Sequence, residues 1–587
     1  MSGARKSRAA ERLRNAPEVR GDTTNIAAPL PDNCPVRPLG MADSKTPTAV
    51  YLSGSGILME LSGQAHGQGN LEGLFAPHNR YLWDHWPRHG KDGDITGFRA
   101  ELARADLFKA AAERGIWNEI DSVRGAGAWR GRDGQLMLHL GDRVQVDGVE
   151  HGWGEIDGRV YPASARLLGP DPAPQPEGAT GPAAQLLELL ETWNWKHHAI
   201  APRLVLGWIC AGFLGGALKW RPMLWPTGDR GTGKSTLLET ITALFGPAGA
   251  IATGDTTAAG IRQALMSKAL PVMLDELEAQ DDGGDKVGKV LELMRQGSSG
   301  STSLRGGADH KGTAFVNRSP MLASSINVPP LRSQDRSRIA VLELLALREG
   351  ARAPNWSDTR LHRLGQQMLR RMQDGWPQLE DRLTTWRAEL EAHAGLDARG
   401  QDQYGTLLAC ADLALHNAAP DHEMLADVAA AVRELLGDLR ADDVADWRRC
   451  LDHMLTAPAD AWRGGDRMTL GALLAQSAGE GAPDASNESA QKALASYGLR
   501  LVEELDQTKR RRVRWLAIAN QHNGLARVYD RTIWAGRSGT SGGWRQTLLR
   551  APGAMPREAS LRFEGLQSRV VLVPYGVALN QSAGVDA

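Results

Sequence analysis

The run Gly228-Asp229-Arg230-Gly231-Thr232-Gly233-Lys234-Ser235 fits G-x-x-x-x-G-K-[ST], the phosphate-binding loop of nucleoside triphosphatases. The chemistry demands these residue types. Glycines let the backbone curl until its N–H groups face phosphate oxygens, and a following helix adds partial positive charge at its N-terminus. Lys234 is placed to neutralise the β- and γ-phosphates, and the Ser235 hydroxyl to ligate magnesium. With Thr236, these residues form the expected ATP site. Strand-like residues (Pro222, Met223, Leu224, Trp225) lead in, and helical spacing (Leu237, Leu238, Ile241, Leu244, Phe245) leads out.

A second apolar run, Leu270-Pro271-Val272-Met273-Leu274, ends in Asp275-Glu276. In phosphate-loop enzymes a strand beside the loop strand delivers an acid to the magnesium shell. Asp275 suits that role together with Ser235. Glu276 suits the general base that orients the attacking water. An acidic strand end without chemistry is the plain alternative, and the loop upstream weighs against it. A third run, Met321-Leu322-Ala323-Ser324-Ser325-Ile326-Asn327, ends in polar residues. Asn327, with Ser325 in reserve, suits a γ-phosphate sensor. Asp335-Arg336-Ser337-Arg338 then precedes an apolar strand over 339–345. Arg336 or Arg338 suits an arginine finger supplied to a neighbouring subunit, worth about 10³–10⁵ in rate, or roughly 4–7 kcal/mol. A salt bridge to Asp335 or Glu343 is the alternative role for each arginine, and spacing does not choose between the two. Between the acidic and polar-ended strands, Thr302-Ser303-Leu304 and Ala314-Phe315-Val316 flank a Gly-rich stretch containing Arg305, His310 and Lys311. This predicts a hairpin with a basic tip. In a ring the tip would enter the pore and grip a nucleic-acid backbone; a surface loop is the alternative.

These parts need a scaffold of several domains. A chain of 587 residues exceeds one core. The sequence divides into a basic, Pro-rich disordered tail (1–45), a small α/β domain (46–168), a Pro/Gly linker (169–182), a helical collar (183–220), an α/β nucleotide-binding core (221–350), a helical subdomain (351–465) and a winged-helix-like domain (466–587). In the last, Lys509-Arg510-Arg511-Arg512-Val513-Arg514 lies between strand patterns. Its cations, Lys509, Arg510, Arg511, Arg512 and Arg514, would contact phosphates without reading sequence; a solvated basic hairpin is the alternative. The tryptophans Trp356, Trp376, Trp386 and Trp447 read as core.

Composition sets further bounds. Net charge is −1, from 68 Lys and Arg against 69 Asp and Glu, so any nucleic-acid contact must come from local patches rather than from a global field. The 4 cysteines are far apart, with no C-x-x-C pair. That argues against a disulfide framework or cysteine zinc site and suits a reducing cytoplasm. No signal-peptide pattern is visible, and the most apolar stretch, 204–218, is shorter than the ~20 residues of a membrane span. A buried helix is expected there. His78, His85, His89 and His139 lack consistent metal-ligand spacing and read as surface histidines. Asp92 and Asp94 share a Gly-rich loop without flanking strands, so no polymerase or nuclease site is expected in the N-terminal domain.

The order GDRGTGKST (228–236), PVMLDELE (271–278), basic hairpin, SSIN-V-P (324–329) and DRSRI (335–339) resembles the superfamily 3 helicases. More narrowly, it resembles the AAA+ module of phage and plasmid primase-helicases of the poxvirus type. The likeness covers about residues 185–350. It implies a P-loop AAA+ core, a parallel sheet with helices on both faces, acting as a homo-hexameric ring on single-stranded or forked DNA with ATP and magnesium. In that family a Lys/His-tipped hairpin pulls the strand; His310 and Lys311 match the tip, and Asn327 the sensor. The family's finger arginines are usually adjacent, whereas here Ser337 separates them. Such proteins often carry a primase ahead of the motor. No such site is visible here, so priming would come from a separate primase or polymerase, or not at all. The alternatives are an AAA+ loader that binds DNA without unwinding it, and a nucleotide-regulated origin-binding or scaffold protein. Glu276 argues against the scaffold, since pure nucleotide binding needs no water-activating base.

Overall fold

A computed structural model describes residues 30–31, 33–254, 256–278, 286–306, 312–329, 331, 333–352, 354–441, 445–459, 468–480, 487–506, 511–536 and 542–579. The chain forms two compact units, Met1–Leu435 and Leu436–Ala587. The boundary predicted at 465/466 is therefore corrected: helix Asp446–Thr456 packs in the core of the second unit.

The first unit opens with strands Arg37–Ala42, Thr48–Leu52 and Leu58–Ser62 in an antiparallel sheet, extended in parallel by Ile116–Trp117. Stretch 37–42 was expected in the tail; it is the central partner of two strands. Helix Ala100–Glu113 buries Ala103, Leu107 and Ala111 in a core shared with Leu71, Phe75 and Trp86. A meander follows, Gly127–Arg130, Leu136–His139, Arg143–Val146 and Val149–Gly152. Two expectations fail here. His139 is fully buried, with its pKa lowered by that burial and its Nδ1 on Arg124 O. The Asp92/Asp94 loop is flanked by strands after all, Pro87–His89 and Ile95–Phe98.

The parallel-sheet region begins with two helices, α1 (Pro182–Glu191) and α2 (Ala201–Leu214). α2 is the apolar stretch; a Cβ at Gly207 would lie 1.9 Å from Leu407 O, so only glycine permits that helix to approach. Next come β1 (Met223–Thr227), α3 (Lys234–Phe245), β2 (Ile251–Thr253), α4 (Ala258–Leu265), β3 (Val272–Leu274), α5 (Lys286–Ser299), the antiparallel hairpin β4 (Thr302–Gly306) and β5 (Gly312–Val316), β6 (Met321–Ala323), α6 (Ser333–Arg336) and β7 (Ile339–Glu343). The five sheet strands are all parallel, in the order β2-β3-β6-β1-β7. Residues in β1, β3 and β6 are buried on both faces, as expected for continuous apolar runs covered by helices. The expectation that the acidic strand lies beside the loop strand is corrected: β6 lies between them.

Helices α7 (Asp358–Gly375), α8 (Leu379–Ala394), α9 (Ala398–Leu415) and α10 (His422–Ala441) follow. Two buried polar side chains close the N-terminal edge of the sheet. Gln403 of α9 donates to Met223 O (2.6 Å) and accepts from Met223 N (3.2 Å) and Trp220 Nε1 (3.3 Å). Arg221 donates to Gly297 O and Leu218 O, both at 2.6 Å, and to Ser298 O and Lys219 O, both at 3.2 Å. Burial pushes its pKa down to about 10. Trp376 and Trp386 are buried, as expected, whereas Trp356 is half-buried with the Arg360 guanidinium 3.6 Å from its ring.

The second unit contains α11 (Asp446–Thr456), α12 (Leu470–Ser477), α13 (Asn487–Ser496), β8 (Leu499–Asp506), β9 (Arg511–Ala519), α14 (Asn523–Val528), α15 (Gly543–Leu548), β10 (Met555–Phe563) and β11 (Leu566–Pro574). Helices then a hairpin match the expected order. The hairpin is nonetheless half of an antiparallel sheet, β8-β9-β11-β10, rather than a projecting wing of two strands. All four cysteines are free, and among the described residues no helix is long and apolar enough to cross a membrane.

Candidate nucleotide site

The Gly-Lys-Ser loop leaves the C-terminal end of β1 and enters α3. Gly228 turns it there at φ +148°; a Cβ would lie 2.3 Å from Leu344 O, because the loop passes against the end of β7. Gly233 caps α3 in the left-handed region, φ +89°, a conformation that costs glycine little. Its carbonyl accepts from Trp193 Nε1 at 3.0 Å. Trp193 belongs to the α1–α2 connection. That connection is tied to the same edge by Leu345 N on Asn194 O (2.8 Å), Asn194 Nδ2 on Ala346 O (2.7 Å) and Lys196 on Glu343 (3.0 Å). Lys234 Nζ donates to its own loop, to Gly228 O (2.5 Å) and Asp229 O (2.9 Å). Thr232 Oγ1 donates to Asp229 O (2.9 Å), closing the turn. Arg230, Gly231, Ser235 and Asp229 are exposed, and Thr236 half-buried.

Asp275 follows β3 on the same edge. Ser324 Oγ donates to its Oδ1 at 2.5 Å and Glu276 N at 3.1 Å, so two donors orient the carboxylate. Ser235 and Asp275 line one cavity of about 570 Å³, together with Glu239, Thr253, Asp358 and His362. A hydroxyl and a carboxylate facing one space are the hard oxygen donors that magnesium takes. Glu276 is exposed and stands at φ +54°, left-handed for a residue with a Cβ. Such strain is worth of order 1–3 kcal/mol and recurs at active sites. Its neighbours fix it: Leu277 N donates to Ser324 O (2.8 Å), and Glu278 Oε1 accepts from Ile326 N (3.0 Å).

The segment after β6 crosses between these two groups. Ser325 is buried; its hydroxyl accepts from Trp225 Nε1 (2.9 Å) and donates to Asn327 O (2.8 Å), so it holds the segment to β1. Thr227 Oγ1 does the same on Ile326 O (2.8 Å). Asn327 is exposed beyond that anchor.

Arg336 and Arg338 lie elsewhere. They precede β7, at the N-terminal edge of the sheet, opposite the phosphate loop. A five-residue strand puts these edges about 15 Å apart. Asp335 pairs with Arg295 (3.1 Å) and Glu343 with Lys196. Arg336 Nε donates to Leu331 O (3.1 Å), and the Arg338 guanidinium lies 5.9 Å from the Trp220 ring. Burial, with Arg399 and Arg295 nearby, lowers the Arg338 pKa.

Of the residues expected to contact nucleic acid, Arg305 lies in β4, while His310, Lys311, Lys509 and Arg510 fall outside the described residues. Arg511 begins β9. Arg514 and Arg512 flank Glu503 at 3.1 and 3.9 Å, both on the β8–β9 pair. Sequence reasoning passed over Ser324, Glu278, Trp193 and Gln403. Ser324 had a visible signal, as the first polar residue after an apolar strand. The others meet their partners only through the tertiary fold.

No family model matches this chain, and no curated protein does. Among solved structures it is similar to the apo structure of the NrS-1 C-terminal region, at 10% identity and a TM-score of 0.34, over 92% of this chain and 96% of that one. It is likewise similar to the A form of that region, at 11% identity and a TM-score of 0.34, over 91% and 95%.

Proposed function

We propose that the protein is an ATP- and magnesium-dependent AAA+ DNA helicase of the replicative, mobile-element kind, moving on single-stranded DNA as a homo-hexameric ring in the cytoplasm. The observation that carries this reading is the convergence of the phosphate loop, Asp275-Glu276 and the segment to Asn327 on one edge of a five-stranded parallel sheet, with β6 inserted between β3 and β1. The loop N–H groups and Lys234 would hold the triphosphate. Magnesium, held by Ser235 and Asp275, would offset phosphate charge. Glu276 would accept the proton of the attacking water, and Asn327 would position that water. Arg336 and Arg338 stand too far from the loop of their own chain to assist it, so either would act as a finger on a neighbour's site. The β4–β5 hairpin, with Arg305, His310 and Lys311, and the basic β8–β9 turn would contact the DNA backbone. A separate primase or polymerase would supply primers.

Forked-duplex unwinding tests the reading. It is expected to require ATP and magnesium, and to be lost in Lys234→Ala and Glu276→Gln while the folded content is unchanged. DNA-stimulated ATPase with no unwinding at any protein concentration would instead establish the loader, and wild-type turnover in Glu276→Gln would remove the assigned base.

A further inference from the structure

The helical part of the first unit holds a cluster that the nucleotide chemistry does not use. Glu389 and His393 stand four residues apart on α8, a spacing that puts both side chains on one face. His422 is the first residue of α10 and reaches the same place from across the connection. Glu389 Oε2 lies 3.3 Å from His393 Nε2, Glu389 Oε1 lies 3.1 Å from His422 Nδ1, and the three ligand atoms all fall within 4.8 Å of one another. The two imidazole centroids are 5.7 Å apart.

We propose that Glu389, His393 and His422 form a three-ligand site for a divalent first-row cation, zinc fitting best. Tetrahedral zinc with bonds of about 2.0–2.2 Å holds its ligand atoms about 3.3–3.5 Å apart. The two Glu–His separations, 3.3 and 3.1 Å, already lie near that span, and the remaining pair falls within 4.8 Å. Two imidazoles and one carboxylate are the donor set that zinc takes when one position stays open to water.

The competing arrangement is a carboxylate that merely accepts from two histidines. It leaves Glu389 Oε2 unexplained: that oxygen is buried and makes no hydrogen bond, although His393 Nε2 is near. A cation between the groups would satisfy it. Proton bookkeeping is simple. Each histidine gives the lone pair of the nitrogen that faces Glu389 and keeps its proton on the other one, Nδ1 of His393 and Nε2 of His422. Binding would pin the first turn of α10 to α8. α10 carries the chain past Leu435, where the first unit ends, so the cation would stabilise the exit from that unit rather than do chemistry.

The test uses the full-length protein, stripped with a chelator, then titrated with Co²⁺ as a visible probe and Zn²⁺ by calorimetry. One tight Zn²⁺ per chain, the strong absorption of tetrahedral Co²⁺ and a raised Tm are expected. His393→Ala and His422→Ala should each weaken binding at least about tenfold and remove the Tm gain. The His422 side chain is 75% exposed, and Asp421 Oδ1 already caps Met424 N at 2.9 Å, so His422→Ala leaves the fold intact. Unchanged affinity in His422→Ala, or no zinc uptake, overturns the site. So does a cobalt signal lost in Ser235→Ala, which would move the metal to the nucleotide site.

Discussion

At the C-terminal edge of the parallel sheet, polar groups stand exposed or strained: Glu276 in a left-handed conformation, Ser235 facing a cavity, Asn327 beyond its anchor. At the N-terminal edge of the same strands, Arg221 and Gln403 are buried and spend nearly all of their hydrogen bonds on main-chain carbonyls and amides. The β1 strand thus has one end locked by side chains from other segments and one end followed by exposed polar groups. Buried donors and acceptors cost stability when left unmatched, so a matched set fixes position. The locked end makes the open end geometrically dependable, which is what positioning of a phosphate and a water requires.

Arg336 and Arg338 complicate the contrast, since they are polar groups at the locked edge. If they serve a neighbour, Arg336→Ala or Arg338→Ala should lower ATP turnover by about 10³–10⁵-fold. Mixing the impaired arginine variant with Lys234→Ala should restore part of the activity, because an intact loop would then meet an intact finger. Failure of both variants to lower turnover would return the arginines to a structural role at the locked edge.

Gln403→Ala should cost stability rather than chemistry. Removing both bonds to Met223 leaves a buried amide and carbonyl unmatched, worth about 1–3 kcal/mol in chemical denaturation, with the KM for ATP unchanged. A raised KM without a stability loss would break the division between the edges. The smallest stability change is expected at Glu276. Glu276→Gly should relieve the backbone strain and raise stability by up to about 1 kcal/mol. The same change should lower turnover by about 10²–10⁴-fold. A gain of stability with loss of activity at one position marks strain kept for function.

What the sequence made readable was local. The Gly-Lys-Ser loop, the strand ends at Asp275 and Asn327, the β4–β5 hairpin and the buried α2 all follow from spacing within a short window. Pairing between distant segments was not readable. Nothing near Asp275 shows that β6 will sit between β3 and β1, or that Gln403 will close the start of β1. Prolines at 35 and 38 disguised the strand Arg37–Ala42, whose register shifts between Pro38 and Gly40. The continuous helical pattern of 422–456 hid the division at Leu435. His422 joins Glu389 only because α9 folds back between their helices.

The position of β1 has a consequence for how the protein is made. Both of its sheet neighbours, Met321–Ala323 and Ile339–Glu343, leave the ribosome long after the phosphate loop itself. Until then β1 has two unpaired, apolar edges. Such non-local pairing slows folding and exposes the chain to aggregation. A product terminated before residue 321 would contain the whole loop motif and yet have no sheet to hold it. A truncation series should therefore gain soluble, nucleotide-competent protein abruptly, once β7 and the helix bearing Gln403 are included, rather than at the end of the motif.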